Sequence, residues 1–522
     1  MVAIMGKKQI GINLVAGLIS CAATLGVSFF LTPYLVAQLG DEAYGYVGLA
    51  NQFVTIATVF TTALNSMANR FILLAYQKKN LNKVNEYYSS LFAGGLLLAT
   101  VFLLAGLTVA TFVDRIFKIT PALVPAVKVS FSLSVVNFSV MTLLSVFTSA
   151  AFICNRLALT SKGELTANIV KIVFLAGIFS LVSPKIYYVT LGGLIYTAVL
   201  YFNHFINTRR LLPELRIRLK LVKLKTVKEL VLAGSWNSLN SVIQLLMAGL
   251  DLALANWLLD GRAMGLISIA NTIIVASNSI ISKVVGVFQP VLFRTYANDD
   301  QLTLKKRVGQ INRLQCAIIY VPIAGLMVFS PFFYGLWMPY KSQEDIFLLA
   351  GITAVKALDQ FASLTGDALR LNFSMYNRLR PLVATRFFCS ILNVPLVLLL
   401  VKICSWYEGD VLIIAGVSTL IDIIYFWAME PKLVAHITDE KIGRYYGMIA
   451  REIGLFLCLI ATYTLIYINV EVPLDWVRFL ILAGIAGLIG YGITWIVGFC
   501  REDRIMFKEM IRAKFKAIQK KQ

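Results

Sequence analysis

Charged side chains stand inside long apolar stretches of this chain, where they carry a high energetic cost. Lys171 lies in the middle of the stretch 164–182, and Lys283 lies about two turns from the inner end of the stretch 263–291. An ionisable group at such depth usually faces a water-filled cavity or an opposite charge. We therefore expect these lysines to face a polar space and bind an anion. The candidate cavity residues are Arg70, Lys171, Lys283, Lys356, Asn51 and Asn271.

Three of the basic groups have a structural explanation as well. Arg70 is near an inner helix end, from which a long side chain can reach the interface. Lys356 is three residues from Asp359, and Arg370 is three residues from Asp367. Neighbours at this spacing can neutralise each other on one helix. The sequence therefore leaves two explanations open for each group. Arg70 either binds a ligand or reaches the interface, and Lys356 either binds a ligand or pairs with its helix neighbour.

Two carboxylates are candidates for coupling to an ion gradient. Asp251 has no basic residue three or four positions away, and Asp359 is near the outer side of its stretch. A lone carboxylate in a low-dielectric environment holds a proton readily, so either residue could take up a proton or a sodium ion. Lys356 opposes proton binding at Asp359, which favours Asp251. Pairing with helix neighbours is the alternative, and Asp422 is a weaker candidate.

Motifs of catalysis and nucleotide binding are absent from the sequence. It contains no GxxxxGK[ST], no HExxH and no nucleophile elbow. Its two His and seven Cys form no CxxC or His-Cys cluster, so no metal site is expected. The sequence predicts neither an ATPase nor any other enzyme, and no cofactor.

Composition places all these residues in a membrane. Hydrophobic residues make up 58% of the 522 residues and charged residues 14%, whereas soluble chains carry about 25% charged residues. Continuous apolar runs of about 20 residues or more indicate transmembrane helices and exclude a β-barrel. The sequence therefore predicts an all-α polytopic membrane protein with about fourteen spans: 10–37, 44–75, 88–112, 122–153, 164–182, 186–207, 230–256, 263–291, 312–338, 346–373, 382–402, 410–435, 448–470 and 475–499.

The net charge of +21 collects on one side of these spans when they alternate. The positive-inside rule then predicts that both termini are cytoplasmic. The richest basic segments are 209–228, with leucines between its basic residues, and the tail 501–522. Both are typical of amphipathic helices on the inner leaflet, or are simply topology determinants. The charge thus indicates orientation and lipid contact, with no nucleic-acid binding.

An internal repeat divides the chain. Residues 43–51 and 263–271 match at Ala, Gly, Ala and Asn at an offset of 220, which spans six helices. Six spans per repeat give two lobes in the same orientation, a common transporter plan with the substrate path between the halves. The predicted domains are 1–208 (N-lobe, spans 1–6), 209–229 (basic cytoplasmic linker), 230–436 (C-lobe, spans 7–12), 437–500 (spans 13–14) and 501–522 (basic amphipathic cytoplasmic tail).

The N-terminal part resembles a known family. Residues 30–45 resemble the first loop of polysaccharide (Wzx-type) flippases, and residues 65–71 and 77–88 resemble the end of their second helix and the following loop. The resemblance implies the MOP exporter superfamily, with a V-shaped arrangement of two lobes around a central cavity. It also implies export of undecaprenyl-pyrophosphate-linked sugar units across the bacterial inner membrane, with polymerase and glycosyltransferase machinery and membrane lipids as partners.

Three other functions stay open. A multidrug–cation antiporter of the same superfamily usually has twelve spans and, in many bacterial members, a carboxylate in helix 1, whereas residues 10–37 contain none. A flippase for the peptidoglycan lipid precursor would have nearly the same chemistry. A membrane-embedded glycosyltransferase or polymerase usually has a large outer loop, which this chain lacks.

Overall fold

The protein is helical throughout the part that the computed structural model describes. That part comprises residues 7–154, 156–230, 250–297, 301–376, 378–404, 410–470, 475–499 and 504. Within these ranges there is no strand. Apolar runs fold this way because backbone N–H and C=O groups inside a bilayer must be paired within the segment itself. The expected all-α fold class is confirmed.

The chain divides into two compact units, Met1–Ile269 and Ala270–Gln522. The division falls inside a long helix, α9, whose first turns belong to the first unit. Residues 224–230 and 250–258 of the first unit are helical as well. The numbered helices up to this point are α1 Lys7–Leu39, α2 Asp41–Gln77, α3 Leu81–Thr111, α4 Val113–Ile116, α5 Val124–Leu144, α6 Ser149–Ile153, α7 Leu157–Leu181, α8 Ile186–Leu211 and α9 Gly261–Ala297.

The second unit continues with nine helices in its described ranges. Its last two, α17 and α18, pack against α10. Phe361 of α11 stacks on Phe456 of α17 with ring centroids 3.8 Å apart, which ties these added helices to the core. The helices are α10 Gln301–Trp337, α11 Gln343–Leu364, α12 Asp367–Met375, α13 Leu379–Ile391, α14 Asn393–Cys404, α15 Asp410–Ile424, α16 Glu430–Thr438, α17 Ile442–Asn469 and α18 Trp476–Ile493.

Membrane spans follow from the lengths of these helices. Within the described ranges, 12 helical stretches are long and apolar enough to cross a bilayer, and each corresponds to one predicted span. A further predicted span, 44–75, falls on α2, which has 37 residues. The remaining one, 230–256, lies mostly outside the described residues. The count of fourteen therefore stays a prediction.

Helix bounds repeat along the chain. The helices α2 and α9 both have 37 residues and begin at Asp41 and Gly261, an offset of 220. The helices that follow them, α3 and α10, begin at Leu81 and Gln301 with the same offset. Packing repeats too, since α3–α5, α7–α8 and α5–α8 correspond to α10–α11, α14–α15 and α11–α15. The helix bounds and the helix packing therefore repeat at the offset found in the sequence.

The first turns of α2 and α9 lie in close contact within the first unit. A Cβ atom on Gly45 would lie 3.0 Å from the backbone N of Gly265. One turn further, a Cβ on Gly48 would lie 2.9 Å from the Cβ of Ser268. These are the repeat-matched positions, so small residues at equivalent places let the two backbones approach each other.

Buried hydrogen bonds secure the end of the first unit at which α2 begins. Asn256 donates to the hydroxyl of Tyr46 (3.1 Å) and to the carbonyl of Lys118 (3.2 Å), and it accepts from the Lys118 N–H (2.9 Å). Asn256 and Tyr46 are completely buried. The indole of Trp257 donates to the carbonyl of Ile116 at 2.7 Å. The loop after α4 is thus fixed to the beginning of α2 and to the helical residues 250–258.

One expected helix is absent. Residues 209–228 were predicted to form an amphipathic helix, but residues 212–223 contain no α-helix, only a turn at 213–214 and a short 3₁₀ turn at Leu219–Leu221. The amphipathic-helix prediction for this segment was wrong. The reason is tertiary, because polar side chains of α3 bind the backbone of the segment and replace intrahelical hydrogen bonds. The predicted tail helix, 501–522, lies outside the described residues except for Arg504.

Candidate functional site

A polar seam runs between α1 and α7 inside the first unit. Glu164, Asn168 and Lys171 follow one another at spacings of four and three residues, which places them on one face of α7. Ser20 of α1 donates to the Glu164 carboxylate at 2.5 Å. Asn168 donates to the hydroxyl of Thr24, also on α1, at 3.0 Å. The seam thus presents a carboxylate, an amide, two hydroxyls and an ammonium within the membrane.

Lys171 differs from the other members of the seam. It lies about 21 Å along α7 from Leu157, near the middle of the span, and it is half-buried. The neighbouring faces of α7 carry exposed apolar residues such as Ile169 and Val173, which suit contact with lipid tails. Within the described part of the chain, no side chain or carbonyl forms a hydrogen bond or ion pair with its ammonium. A cation held here without a counter-charge is available to an anionic ligand.

A network of buried charges crosses the second unit. Arg386 of α13 forms an ion pair with Asp422 of α15 at 3.5 Å. Asp359 of α11 lies within hydrogen-bonding distance of the Asp422 carboxyl group. The ammonium of Lys356, one turn before Asp359, donates to the hydroxyl of Ser418 at 3.1 Å. This network brings Asp359 and Asp422 together as a carboxyl pair.

The same network contains a second ion pair. The guanidinium of Arg370 donates from Nε to Oε1 of Glu430 at 3.0 Å, and both groups are largely buried. Asp367 lies close enough to interact electrostatically with Arg370. The guanidinium groups of Arg370 and Arg386 stack over the ring of Phe426, 4.7 and 5.2 Å from its centroid. Arg370 therefore interacts with its helix neighbour, as the sequence allows, and also pairs across helices.

Sequence reasoning missed Arg386, Glu430 and Glu164. Arg386 is 6% exposed and Glu430 2%, so both are core residues of the second unit. In the sequence, both residues lie near the ends of predicted spans, where a charged side chain can also extend to the interface. For Glu164, the spacing to Asn168 and Lys171 was the available signal.

The repeat-related amides differ in environment. Asn51 of α2 is exposed and Asn271 of α9 is half-buried. Neither side chain forms a hydrogen bond to another residue of the described ranges. Each amide is therefore free to bind hydroxyl groups of a ligand, since an amide offers both donors and acceptors.

The structure gives different information on the three remaining candidate residues. Arg70 and Lys283 lie on α2 and α9, but their side chains are outside the described residues, so their roles stay predictions. Asp251 lies in the helical residues 250–258 and is 1% exposed. A coupling ion could reach this buried carboxylate only after a conformational change.

The chain is similar to a known membrane protein over part of its length. It is 29% identical over 330 residues to the uncharacterized membrane protein EpsK of Bacillus subtilis (strain 168). This match covers 63% of the chain, and it spans only 65% of the length of that relative.

Solved structures establish the fold. A multidrug resistance MATE family transporter of the MOP superfamily, in an inward-facing conformation, matches with a TM-score of 0.67 and 12% identity, over 83% of this chain and 99% of its own. The lipid II flippase MurJ, in an inward closed conformation, matches with a TM-score of 0.63 and 13% identity, over 95% of this chain and 99% of its own. The expected MOP-superfamily fold is confirmed.

A family model described as polysaccharide biosynthesis protein matches residues 10–296, more than half of the chain. This match includes the residues on which the sequence resemblance was based, and it includes the polar seam of the first unit. The chain is a multi-pass membrane protein that belongs to the polysaccharide biosynthesis protein family.

Proposed function

We propose that this protein is a flippase that moves undecaprenyl-pyrophosphate-linked oligosaccharide units outward across the bacterial inner membrane for surface polysaccharide assembly. The observation that carries the proposal is the ammonium of Lys171, which lies at mid-membrane depth without a counter-charge among the described residues. Membership of the polysaccharide biosynthesis protein family supports the choice of a glycan cargo. The protein would bind and release this cargo without catalysis.

The cargo chemistry fits the seam between α1 and α7. A lipid-linked pyrophosphate carries at least two negative charges and needs a cation to compensate for the loss of water. Lys171 would supply the cation, while Asn168 and the hydroxyls of Ser20 and Thr24 would offer hydrogen bonds to sugar hydroxyls. Asn51 of the first unit would add a contact of the same kind. Asn271 would offer such a contact within the second unit.

Coupling to a proton gradient is the second part of the proposal. A carboxylate can only accept hydrogen bonds, so a bond between Asp359 and Asp422 requires one shared proton. The network holds Lys356, Arg370 and Arg386 against Asp359, Asp367, Asp422 and Glu430. These are three cations and four acids, so one proton on the carboxyl pair would make the network neutral, and its loss would leave a net charge within the membrane.

Proton loss would therefore favour a rearranged helix packing, which is the requirement for alternating access. Asp251 is the other candidate, and its burial means that it would exchange an ion in a different conformational state. The two candidates can be distinguished by mutation. Loss of Arg386 would disturb coupling through the Asp359–Asp422 pair, because Arg386 forms an ion pair with Asp422, and it would leave coupling through Asp251 unchanged.

Proteins with the same fold transport two other kinds of cargo. The likeness to MurJ extends over 95% of this chain, against 83% for the MATE transporter, which supports a lipid-linked cargo over a multidrug–cation exchange. An uncompensated lysine in the seam would also repel a cationic drug. A peptidoglycan lipid precursor would satisfy the same contacts, so cargo competition has to distinguish it from a polysaccharide unit.

The proposed function is tested by surface-glycan export in a strain lacking the chromosomal gene. Lys171→Gln should reduce export about tenfold to a hundredfold at unchanged protein level, because it removes a charge-assisted contact. Lys171→Arg should retain part of the export. Lys162→Gln is the matched control, because Lys162 is exposed near the inner end of the same helix. Normal export by Lys171→Gln would remove Lys171 from the binding site.

A further inference from the structure

The basic segment 209–228 has a fixed path along the inner end of α3. The side-chain oxygen of Asn85 accepts from the Arg216 N–H at 2.9 Å, and the hydroxyl of Ser89 accepts from the Arg218 N–H at 2.9 Å. Asn85 and Ser89 are buried, at 6% and 0% exposed. Lys223 closes the path with an ion pair to Glu86 at 2.9 Å. The segment is therefore a structured part of the first unit.

This path gives the segment two different sides. Leu212 and Leu215 are buried in the hydrophobic cluster beneath α2 and α3, and Ile217 packs against the same cluster. On the other side, all the basic side chains of the segment are exposed, with Glu214 as the single acid. The exposed basic residues are Arg209, Arg210, Arg216, Arg218, Lys220, Lys223, Lys225 and Lys228.

Two leucines stand on the exposed side among these charges. Leu219 is 72% exposed and Leu224 is 81% exposed. Leu219 lies between Arg218 and Lys220, and Leu224 lies between Lys223 and Lys225. Large apolar side chains surrounded by basic groups are typical of surfaces that bury the apolar groups at the headgroup boundary of an anionic membrane.

The depth of the segment suits such contact. With 31 residues, α3 is about 46 Å long, which exceeds the hydrocarbon thickness of about 30 Å. Asn85 and Ser89 lie within about the first 12 Å of this helix. The segment that they hold is therefore at headgroup level, where lipid phosphates are in reach.

We propose that residues 209–228 form a binding surface for anionic phospholipids of the inner leaflet, with Leu219 and Leu224 inserted between the headgroups. The charges select anionic lipid, and the hydrogen bonds from α3 hold the surface ready without a folding step. A backbone path fixed by hydrogen bonds, together with inserted leucines, distinguishes this surface from a flexible polybasic tail. The inference rests on the proposed orientation of the chain and is independent of the proposed cargo.

Fluorescence quenching by brominated lipids tests the surface in the full-length protein. A bimane label would be placed at Leu219→Cys after replacement of the seven native cysteines. The protein would be reconstituted in phosphatidylcholine–phosphatidylglycerol vesicles that contain the same mole fraction of either brominated lipid. We expect stronger quenching by brominated phosphatidylglycerol than by brominated phosphatidylcholine. Each basic side chain near the surface contributes about a fivefold factor to binding of an anionic membrane.

The triple variant Arg218→Gln, Lys220→Gln and Lys225→Gln should abolish that preference, and it leaves the Lys223–Glu86 ion pair in place. A label at Arg262→Cys, an exposed residue just inside α9, is the control and should show equal quenching by the two lipids. If the triple variant does not elute as a folded protein, Lys220→Gln alone should lower the preference.

Equal quenching by both lipids at Leu219, or no quenching at all, would overturn the proposal. A response to inorganic pyrophosphate in detergent, together with no preference in vesicles, would identify a soluble anion as the occupant and would also overturn it. No glycan is present in this experiment, so a failure here leaves the proposed cargo untouched.

Discussion

Gly45 and Gly265 occupy equivalent positions in the two sequence repeats and face each other in the first unit, where a Cβ on Gly45 would lie 3.1 Å from the Cα of Gly265. The contact is self-complementary, because each repeat contributes the same small residue to it. A side chain at either position would force the first turns of α2 and α9 apart. Glycine is thus required here for close approach, since both positions lie in helices where its flexibility has no benefit.

Gly265→Ala is expected to destabilise the protein. Its Cβ would collide with the backbone carbonyl oxygen of Asp41, which cannot rotate away. Overpacking of this kind costs about 1–3 kcal/mol, which thermal unfolding in detergent would detect as a lower Tm. The matched control is Gly416→Ala on α15, where no atom lies within 4 Å of the new methyl group. That variant should be neutral or more stable by about 0.5–1 kcal/mol, and equal losses in both would contradict the packing account.

Asn256→Leu tests the hydrogen bonds that hold the loop after α4 in the first unit. The change leaves the backbone N–H of Lys118 without its buried acceptor and should cost about 1–3 kcal/mol. Thermal unfolding compares it with Asn469→Leu at the exposed end of α17, where only a local hydrogen bond is lost. The control should change stability by less than about 0.5 kcal/mol. A neutral Asn256→Leu would show that the loop after α4 is held by other contacts.

Membrane orientation is open to a direct labelling test. Single cysteines at Arg262 and Lys225 are both exposed, and the charge distribution predicts that they lie on opposite sides of the membrane. An impermeant maleimide added to intact cells should label position 262 and leave position 225 unlabelled until the cells are opened. Labelling of position 225 from outside would contradict the proposed topology and the cytoplasmic placement of both termini.

A proton shared by Asp359 and Asp422, as we propose, predicts how transport responds to a gradient. Asp422→Asn keeps the size of the side chain and removes the need for a shared proton, so export should lose its dependence on an imposed pH gradient in vesicles. Arg386→Gln should weaken the same dependence, because Arg386 forms the ion pair with Asp422. Asp251→Asn is the comparison, since Asp251 lies outside this network in the helical residues 250–258. Loss of gradient response in Asp251→Asn alone would assign coupling to Asp251.

Much of this architecture could be predicted from the sequence, because it depends on local features of the chain. Apolar length predicted the spans, and the match between residues 43–51 and 263–271 pointed to the positions that meet at Gly45 and Gly265. The position of Lys171 within its apolar stretch also placed it near the middle of α7. Each of these features depends on apolar length or on a repeated motif.

Tertiary contacts determined the features that sequence reasoning could not reach. Arg386 and Glu430 read as residues near helix ends, and only packing makes them partners of Asp422 and Arg370. The segment 212–223 has the composition of an amphipathic helix, yet Asn85 and Ser89 bind its backbone and keep it out of the α-helical conformation. Residue spacing predicts neither the ion pairs nor the path of this segment, because the interacting residues are more than 30 positions apart in the chain.

The central claim is tested most directly by translocation of a lipid-linked oligosaccharide in vesicles that contain only the purified protein. Fluorescent undecaprenyl-pyrophosphate oligosaccharide would be placed in both leaflets, and the fraction reached by an added membrane-impermeant quencher would be followed over time. The account predicts rapid exchange between leaflets with the unmodified protein and with Lys162→Gln. With Lys171→Gln it predicts exchange that is slower by a factor of about ten or more. Unlabelled peptidoglycan precursor should compete poorly. Equal exchange by all three proteins, or no exchange above empty vesicles, would contradict the account.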